Sequence, residues 1–251
     1  MRKRVIILGV AIDDVLMDDA LAAVAGFIAE GGPHQIVTVN PEFIMEARRN
    51  RAFRRVLAAA DLATPDGVGL ILAARWCGTP LRGRVTGIAL TERIAAAAAL
   101  HGWSLFLLGA APGVAERAAA ALQRANPGLR IAGCYAGSPH PADEAAIRER
   151  ILAATPDVLL VAYGHPAQDL WIARNQPTLR VPVAIGVGGT FDELAGVVPR
   201  APALVQRLGL KWLYRLLVQP WRWRRIMTAV PIFLWTVLRE GRAFNALHTE
   251  E

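Results

Sequence analysis

The sequence predicts an α/β layered domain with a mainly parallel sheet, followed by a C-terminal helical appendage. Three observations carry this expectation. Short β-branched runs alternate with longer Ala- and Arg-rich stretches of helical period, the pattern of βα units around a parallel sheet. With 251 residues, 54% of them hydrophobic, the chain can bury a full core. Near Arg200 the composition changes: strand-like runs cease, acids vanish through Arg225, and Trp212, Trp221, Trp223 and Trp235 appear.

In chain order, strands are expected over Val5–Val10, Gln35–Val39, Leu105–Gly109, Arg130–Tyr135, Val158–Tyr163 and Val183–Val187. Helices are expected over Asp18–Ala29, Pro41–Ala60, Val68–Trp76, Thr91–Leu100, Gly113–Ala125, Ala142–Ala154 and Ala167–Asn175. The Ala-rich Ile94–Leu100 lies between Thr91, an N-cap candidate, and Gly102, a stop, so it reads as an ordinary packed helix. The charged start, Arg2 to Arg4, precedes an apolar run that Asp13 and Asp14 end early. No small-residue cleavage site follows, which favours a first buried strand over a signal peptide. Residues 1–199 then form the α/β domain and 200–251 a basic, Trp-rich appendage.

Charge locates the anionic partner. The chain holds 28 basic and 21 acidic residues, and seven of the basic ones with no acid fall between Arg200 and Arg225, so the remainder balances. The tail therefore calls for phospholipid, pyrophosphate or nucleic acid. On an ideal helix Lys211, Arg215, Arg222 and Arg225 share one side, with Pro220 set to break or kink it. The most apolar stretch, Ile226–Leu238, is short and contains Pro231; it suits lying in or on a bilayer rather than crossing one. Cys77 and Cys134 read as two reduced thiols.

Ligands of open α/β sheets bind beyond the carboxyl ends of the strands. The polar residues there are Thr38 and Asn40, the turn Thr64-Pro65-Asp66-Gly67, the loop Gly109 to Gly113, the run Gly164 to Gln168 that includes His165, and Gly186 to Asp192. Asp66 suits a general base acting on an acceptor hydroxyl, or merely an Asx-turn carboxylate. The Gly109 loop opens a helix whose N-terminus suits a diphosphate, or is an ordinary tight turn. The five histidines lack metal-ligand spacing and no Asp-x-Asp occurs, so no metal is expected; arginines would stabilise a leaving diphosphate instead.

The ordered motifs Thr38-Val-Asn40-Pro-Glu-Phe, Thr64-Pro-Asp66-Gly67, Arg84-Val-Thr-Gly87, Phe106-Leu-Leu-Gly109, Gly164-His-Pro166-Ala-Gln168-Asp-Leu-Trp171, Gly186-Val-Gly-Gly-Thr-Phe-Asp192, Arg200-Ala-Pro202, Gly209-Leu-Lys-Trp212-Leu-Tyr-Arg215 and Pro220-x-Arg222 cover almost the whole chain. In this order they resemble the WecG/TagA/CpsF glycosyltransferases. The resemblance implies a Rossmann-like catalytic domain, a UDP-sugar donor and a polyprenyl-diphosphate-linked acceptor. It also implies inverting transfer without a cofactor, in cell-surface polysaccharide biosynthesis at the cytoplasmic face of the membrane. Asp66 would be the catalytic base, and Gln168 would join it in the catalytic set while lining the donor or acceptor pocket; these two rest on the best motif matches. Thr38, Asn40, Gly67 and Gly109 would line the substrate pocket, and Arg215, Arg222 and Arg225 would bind phosphate. The transferred sugar would be N-acetylmannosamine, its uronic acid, or glucose; a homo-oligomer is left open.

Gly83, Ala89, Ala167, Asp169, Lys211 and Gln219 depart from the residues common in that family. Because Asp66 and Gln168 remain, altered specificity is expected rather than lost activity. Two rivals stand beside the enzyme: a non-catalytic membrane-associated nucleotide-sugar binder, and a nucleic-acid-binding protein. The tail's aromatics alternate with Leu, Val and Ile rather than Gly or Ser, which argues against nucleic acid and for an anionic membrane surface. The bland alternative is that the tail's tryptophans simply pack on the core.

Overall fold

The computed structural model describes residues 2–202, 204–205, 210–218, 220, 223 and 227–246. An antiparallel hairpin of β1 (Arg4–Ile7) and β2 (Val10–Asp13) precedes the main sheet. That sheet contains β3 (His34–Val39), β4 (Leu62–Pro65), β5 (Ser104–Gly109), β6 (Arg130–Tyr135), β7 (Val158–Ala162) and β8 (Val183–Gly186). All neighbours are parallel, in the spatial order β4-β3-β8-β7-β5-β6. The helices of its first half are α1 (Met17–Glu30), α2 (Pro41–Arg49), α3 (Arg51–Ala59), α4 (Val68–Trp76) and α5 (Gly87–His101). Those that follow are α6 (Val114–Ala125), α7 (Glu144–Ala154), α8 (Ala167–Leu179), α9 (Thr190–Leu194), α10 (Lys211–Val218) and α11 (Phe233–Ala246).

Alternation along the strands builds two cores. Ile36, Leu105, Leu107 and Leu160 point to one face, where they meet α1, α5 and α6. Val37, Val39, Phe106, Leu108 and Leu159 point to the other, where α2, α3, α4, α7 and α8 lie. A strand buried on both faces reads as a continuous apolar run, and β5 and β7 do so. Connections from β3 to β4, β6 to β7 and β7 to β8 move toward the β4 edge across the second face. The return through α5 to β5 and the step through α6 to β6 move the opposite way across the first face. That pairing of direction with face is what a single crossover handedness requires.

Several elements differ from the sequence reading, each for a local reason. The expected strand Val5–Val10 is a hairpin, because Leu8 and Gly9 take positive φ and turn the chain. Asp13, 1% exposed, then accepts from the Ala63 amide at 2.8 Å and from Arg4 at 3.0 Å, fastening the hairpin to the edge strand β4. The single helix expected over Pro41–Ala60 is two, since Asn50 leaves helical geometry and caps α3 through Phe53 N at 3.0 Å. Helix α5 begins at Gly87 with Thr86 as its cap, not at Thr91, whose hydroxyl donates to Gly87 O inside the helix. Helix α8 continues past Asn175, with Pro177 in its last turn. Strand β4 and helix α9 had no counterpart in the sequence reading.

Helix α11 returns to the core. Phe233 and Val237 of α11 are fully buried in the cluster formed with β1, β2, α2 and α4, and Glu240 pairs with Arg48 of α2 at 2.8 Å. Phe233→Ala would remove about 3–5 kcal/mol of this packing. Among the described residues, no helix is long and apolar enough to cross a membrane. Cys77 and Cys134 are free thiols, and burial raises that of Cys134 to about 11.

Candidate active site

A cleft of about 500 Å³ opens at the carboxyl ends of β3, β4, β7 and β8. Parallel strands all deliver their C-terminal loops to this side, and each loop enters a helix here. The N-terminal segments of α2, α4, α5, α8 and α9 all contribute lining residues: Pro41, Val68, Gly87, Gln168 and Thr190. Five helix N-termini around one cleft place partial positive charge and amide donors where an anion would sit.

Asp66 follows the last residue of β4 and is half-buried in the cleft wall. Pro65 is tolerated because β4 is an edge strand, needing no inward amide there. The Asp66 amide donates to Val39 O at 2.7 Å, and its Oδ2 accepts from Gly87 N, the first residue of α5, at 3.1 Å. Gly67 takes φ 111° to turn the chain directly into α4, a conformation that side chains resist. Pro41 sits 2.9 Å from where a Cβ on Gly69 would stand, so the start of α2 closes tightly on the turn after Asp66.

Thr38, Asn40 and Gln168 all line the cleft as expected from sequence, and each also carries a structural bond. Thr38 donates to Gly186 O at 3.2 Å, and the Asn40 Oδ1 caps α2 by accepting from Phe43 N at 3.1 Å. Gln168, 2% exposed, accepts from Gly188 N at 2.9 Å and so ties α8 to the glycine loop after β8. A Cβ on Gly186 would stand 2.5 Å from both Gln168 Nε2 and Asp169 Oδ1; glycine there makes room for both side chains. Asp169 is fully buried, and among the described residues neither carboxyl oxygen has a hydrogen-bond partner of good geometry. Desolvation pushes its pKa up to about 7, with the Gln168 amide pulling the other way.

The structure does not bring every expected residue together. Gly109 is absent from the residues lining this cleft; its φ of 108° and its approach to Ala162, 2.8 Å from a notional Cβ, serve close packing of β5 on β7. The helix bearing Lys211 and Arg215 spans Lys211–Val218, but the Arg215 side chain, like Arg222 and Arg225 entirely, lies outside the described residues. Trp212 and Val230 line the cleft, so the tail contributes to its wall.

His165, expected at the ligand edge, meets a residue that was not among the expected ones, Glu42. His165 Nε2 lies 3.3 Å from Glu42 Oε2 at the cleft wall, with the imidazole tilted against Phe43 at 5.1 Å between ring centroids. The signal was available: Glu42 is the second residue of a helix that opens at the ligand edge, and His165 follows a strand at that same edge. Arg84, Asp192 and Glu193 complete the charged lining among the described residues.

Residues 5–246 match the model of the Glycosyl transferase WecG/TagA/CpsF family. The chain is 38% identical over 213 residues to the N-acetylglucosaminyldiphosphoundecaprenol N-acetyl-beta-D-mannosaminyltransferase of Bacillus spizizenii, covering 85% of this chain and 82% of that protein. The enzyme of the same name from Bacillus subtilis is 34% identical, covering 82% and 80%. That from Staphylococcus aureus is 32% identical over 243 residues, covering 95% and 94%. With the cleft, its carboxylate and this similarity along nearly its whole length, the chain belongs to the WecG/TagA/CpsF glycosyl transferase family and is a glycosyltransferase.

Proposed function

We propose that this glycosyltransferase moves N-acetylmannosamine from a UDP-linked donor, with inversion, onto N-acetylglucosamine carried by a polyprenyl diphosphate at the inner face of the cell membrane. The names of the relatives support the sugar and the acceptor, narrowing the three sugars expected from sequence. The observation that carries the chemistry is the Asp66 carboxylate, anchored by the Gly87 amide and facing a cleft rimmed by helix N-termini.

In this reading the acceptor hydroxyl binds within hydrogen-bond reach of Asp66, which takes its proton as the oxygen attacks the anomeric carbon. A bond forms between acceptor oxygen and that carbon while the bond to the donor phosphate oxygen breaks. UDP departs with the electron pair, and one displacement inverts the centre. The helix N-termini and Arg84 stabilise the departing diphosphate, joined by Arg215, Arg222 and Arg225 from the tail. Thr38, Asn40 and Gln168 shape the sugar pocket.

The test is a panel of UDP-sugars with a polyprenyl-diphosphate N-acetylglucosamine acceptor in detergent, following UDP release and lipid product. Faster turnover of UDP-N-acetylmannosamine than of its uronic acid or UDP-glucose is expected. Absence of transfer from any UDP-sugar would overturn the donor assignment.

A further inference from the structure

Helix α4 begins at the cleft, and its later turns carry large apolar residues that are open to solvent. Val68 and Gly69 line the cleft, and a Cβ on Gly69 would stand 3.8 Å from the Phe233 ring of α11. Leu72 and Trp76 follow Gly69 by three and seven residues, so they share the side of α4 that meets α11. They are nevertheless 47% and 44% exposed. On α11 itself Phe233 and Val237 point inward, while Trp235 and Leu238 are 66% and 51% exposed. Exposed Arg75 and Arg239 flank these residues, and the preceding segment 200–225 holds seven basic residues without an acid.

We propose that Leu72 and Trp76 of α4 form, with Trp235 and Leu238 of α11, one membrane-docking face, so that the catalytic domain itself touches the bilayer beside its tail. The inference rests on the lipid-linked acceptor of the proposed function. Its occupant is an anionic lipid surface, for two reasons. Apolar side chains rimmed by arginines match the acyl boundary and the phosphates of such a surface. The same helix also leads from that face to the site. Asp66 immediately precedes the turn into α4, and at 1.5 Å per residue Trp76 lies about 15 Å along the helix from it. A helix docked through this end keeps Asp66 within about 15 Å of the contact along its length, on the scale of a lipid-anchored diphosphate and one sugar.

The experiment compares the full chain with its Leu72→Glu/Trp76→Glu variant in co-sedimentation with phosphatidylglycerol-containing vesicles, and in transfer to a long-chain acceptor in those vesicles and a short-chain soluble one. Vesicle affinity and vesicle-borne transfer should each fall about tenfold or more, while the rate on the soluble acceptor stays within about twofold. A milder Leu72→Gln/Trp76→Gln pair should shift vesicle affinity in the same direction, which keeps the test decisive if the glutamate variant fails to fold. Unchanged vesicle binding in a folded variant overturns the proposal. So does a change in oligomeric mass with unchanged vesicle binding, which would assign the face to a second copy of the chain. Vesicle binding is read without any sugar transfer, so an error in the donor or acceptor assignment leaves this test intact.

Discussion

Asp66 Oδ2 accepts a hydrogen bond from the backbone amide of Gly87 at 3.1 Å, joining the turn after β4 to the first residue of α5. The bond fixes one carboxylate oxygen and points the group into the cleft. Asp66→Glu keeps the charge but shifts the oxygens by one methylene, trading this bond for a misplaced base. Turnover should fall about a hundredfold, as displacements near 1 Å do, with UDP affinity nearly unchanged. Steady-state rates and calorimetric UDP titration on the same preparation check it.

Gln168 supplies a second relation of this kind, because its Oε1 holds the Gly188 amide at 2.9 Å while the residue is nearly buried. Gln168→Ala leaves that amide without its partner and loosens the loop from Gly186 to Thr190. A stability loss of about 1–3 kcal/mol is expected, with lower kcat and higher KM for the donor. Unchanged kinetics with reduced stability would confine Gln168 to a structural role.

Asp169 makes folding sensitive to pH. Burial raises its pKa in the folded chain to about 7, above its ordinary value of 3.8. The folded state therefore binds the proton more tightly than the unfolded state. The group's stabilising contribution is complete below the ordinary carboxylate range and is lost as pH rises through about 7. Asp169→Asn cannot ionise, so melting temperatures of variant and wild type should diverge in the variant's favour as pH climbs from about 4 to 8. A difference independent of pH would contradict this.

Turnover should persist in EDTA, within about twofold of the untreated rate. The motivation is the proposed leaving-group site, five helix N-termini and Arg84 at the cleft with the tail arginines proposed to join them, in a sequence without Asp-x-Asp. Loss of activity on chelation, restored by manganese or magnesium, would require a different account of the leaving group.

The parallel sheet was legible because β5, β7 and β8 are unbroken apolar runs between glycine- or proline-bearing turns. Strand β4 was hidden by its residues: Leu62-Ala63-Thr64-Pro65 carries one β-branched side chain and a proline, and its pairing with β3 and tie to Asp13 hold it instead. The hairpin was hidden because Leu8 adopts a positive φ that its side chain does not announce. Thr38, Asn40 and Gln168 could be gathered from sequence because strand ends in a parallel sheet share one edge, and Asp66 and Gly67 because their Thr-Pro-Asp-Gly turn stands out as a motif. Gly109 stands at the end of such a strand too, yet β5 lies two strands from β8, beyond β7, and its glycine is needed for contact with Ala162. The Glu42–His165 pair spans two elements 123 positions apart, a proximity that only the register of β3, β8 and β7 creates.

The most direct measurement is transfer from UDP-N-acetylmannosamine to the polyprenyl-diphosphate acceptor by wild type and by Asp66→Asn, each with its UDP dissociation constant. The amide keeps the shape and the capacity to accept from Gly87 but cannot take a proton. Turnover should drop by about 10²–10⁴ while UDP binding stays within about threefold. Turnover near the wild-type rate in pure Asp66→Asn protein would remove Asp66 as the base and contradict the mechanism.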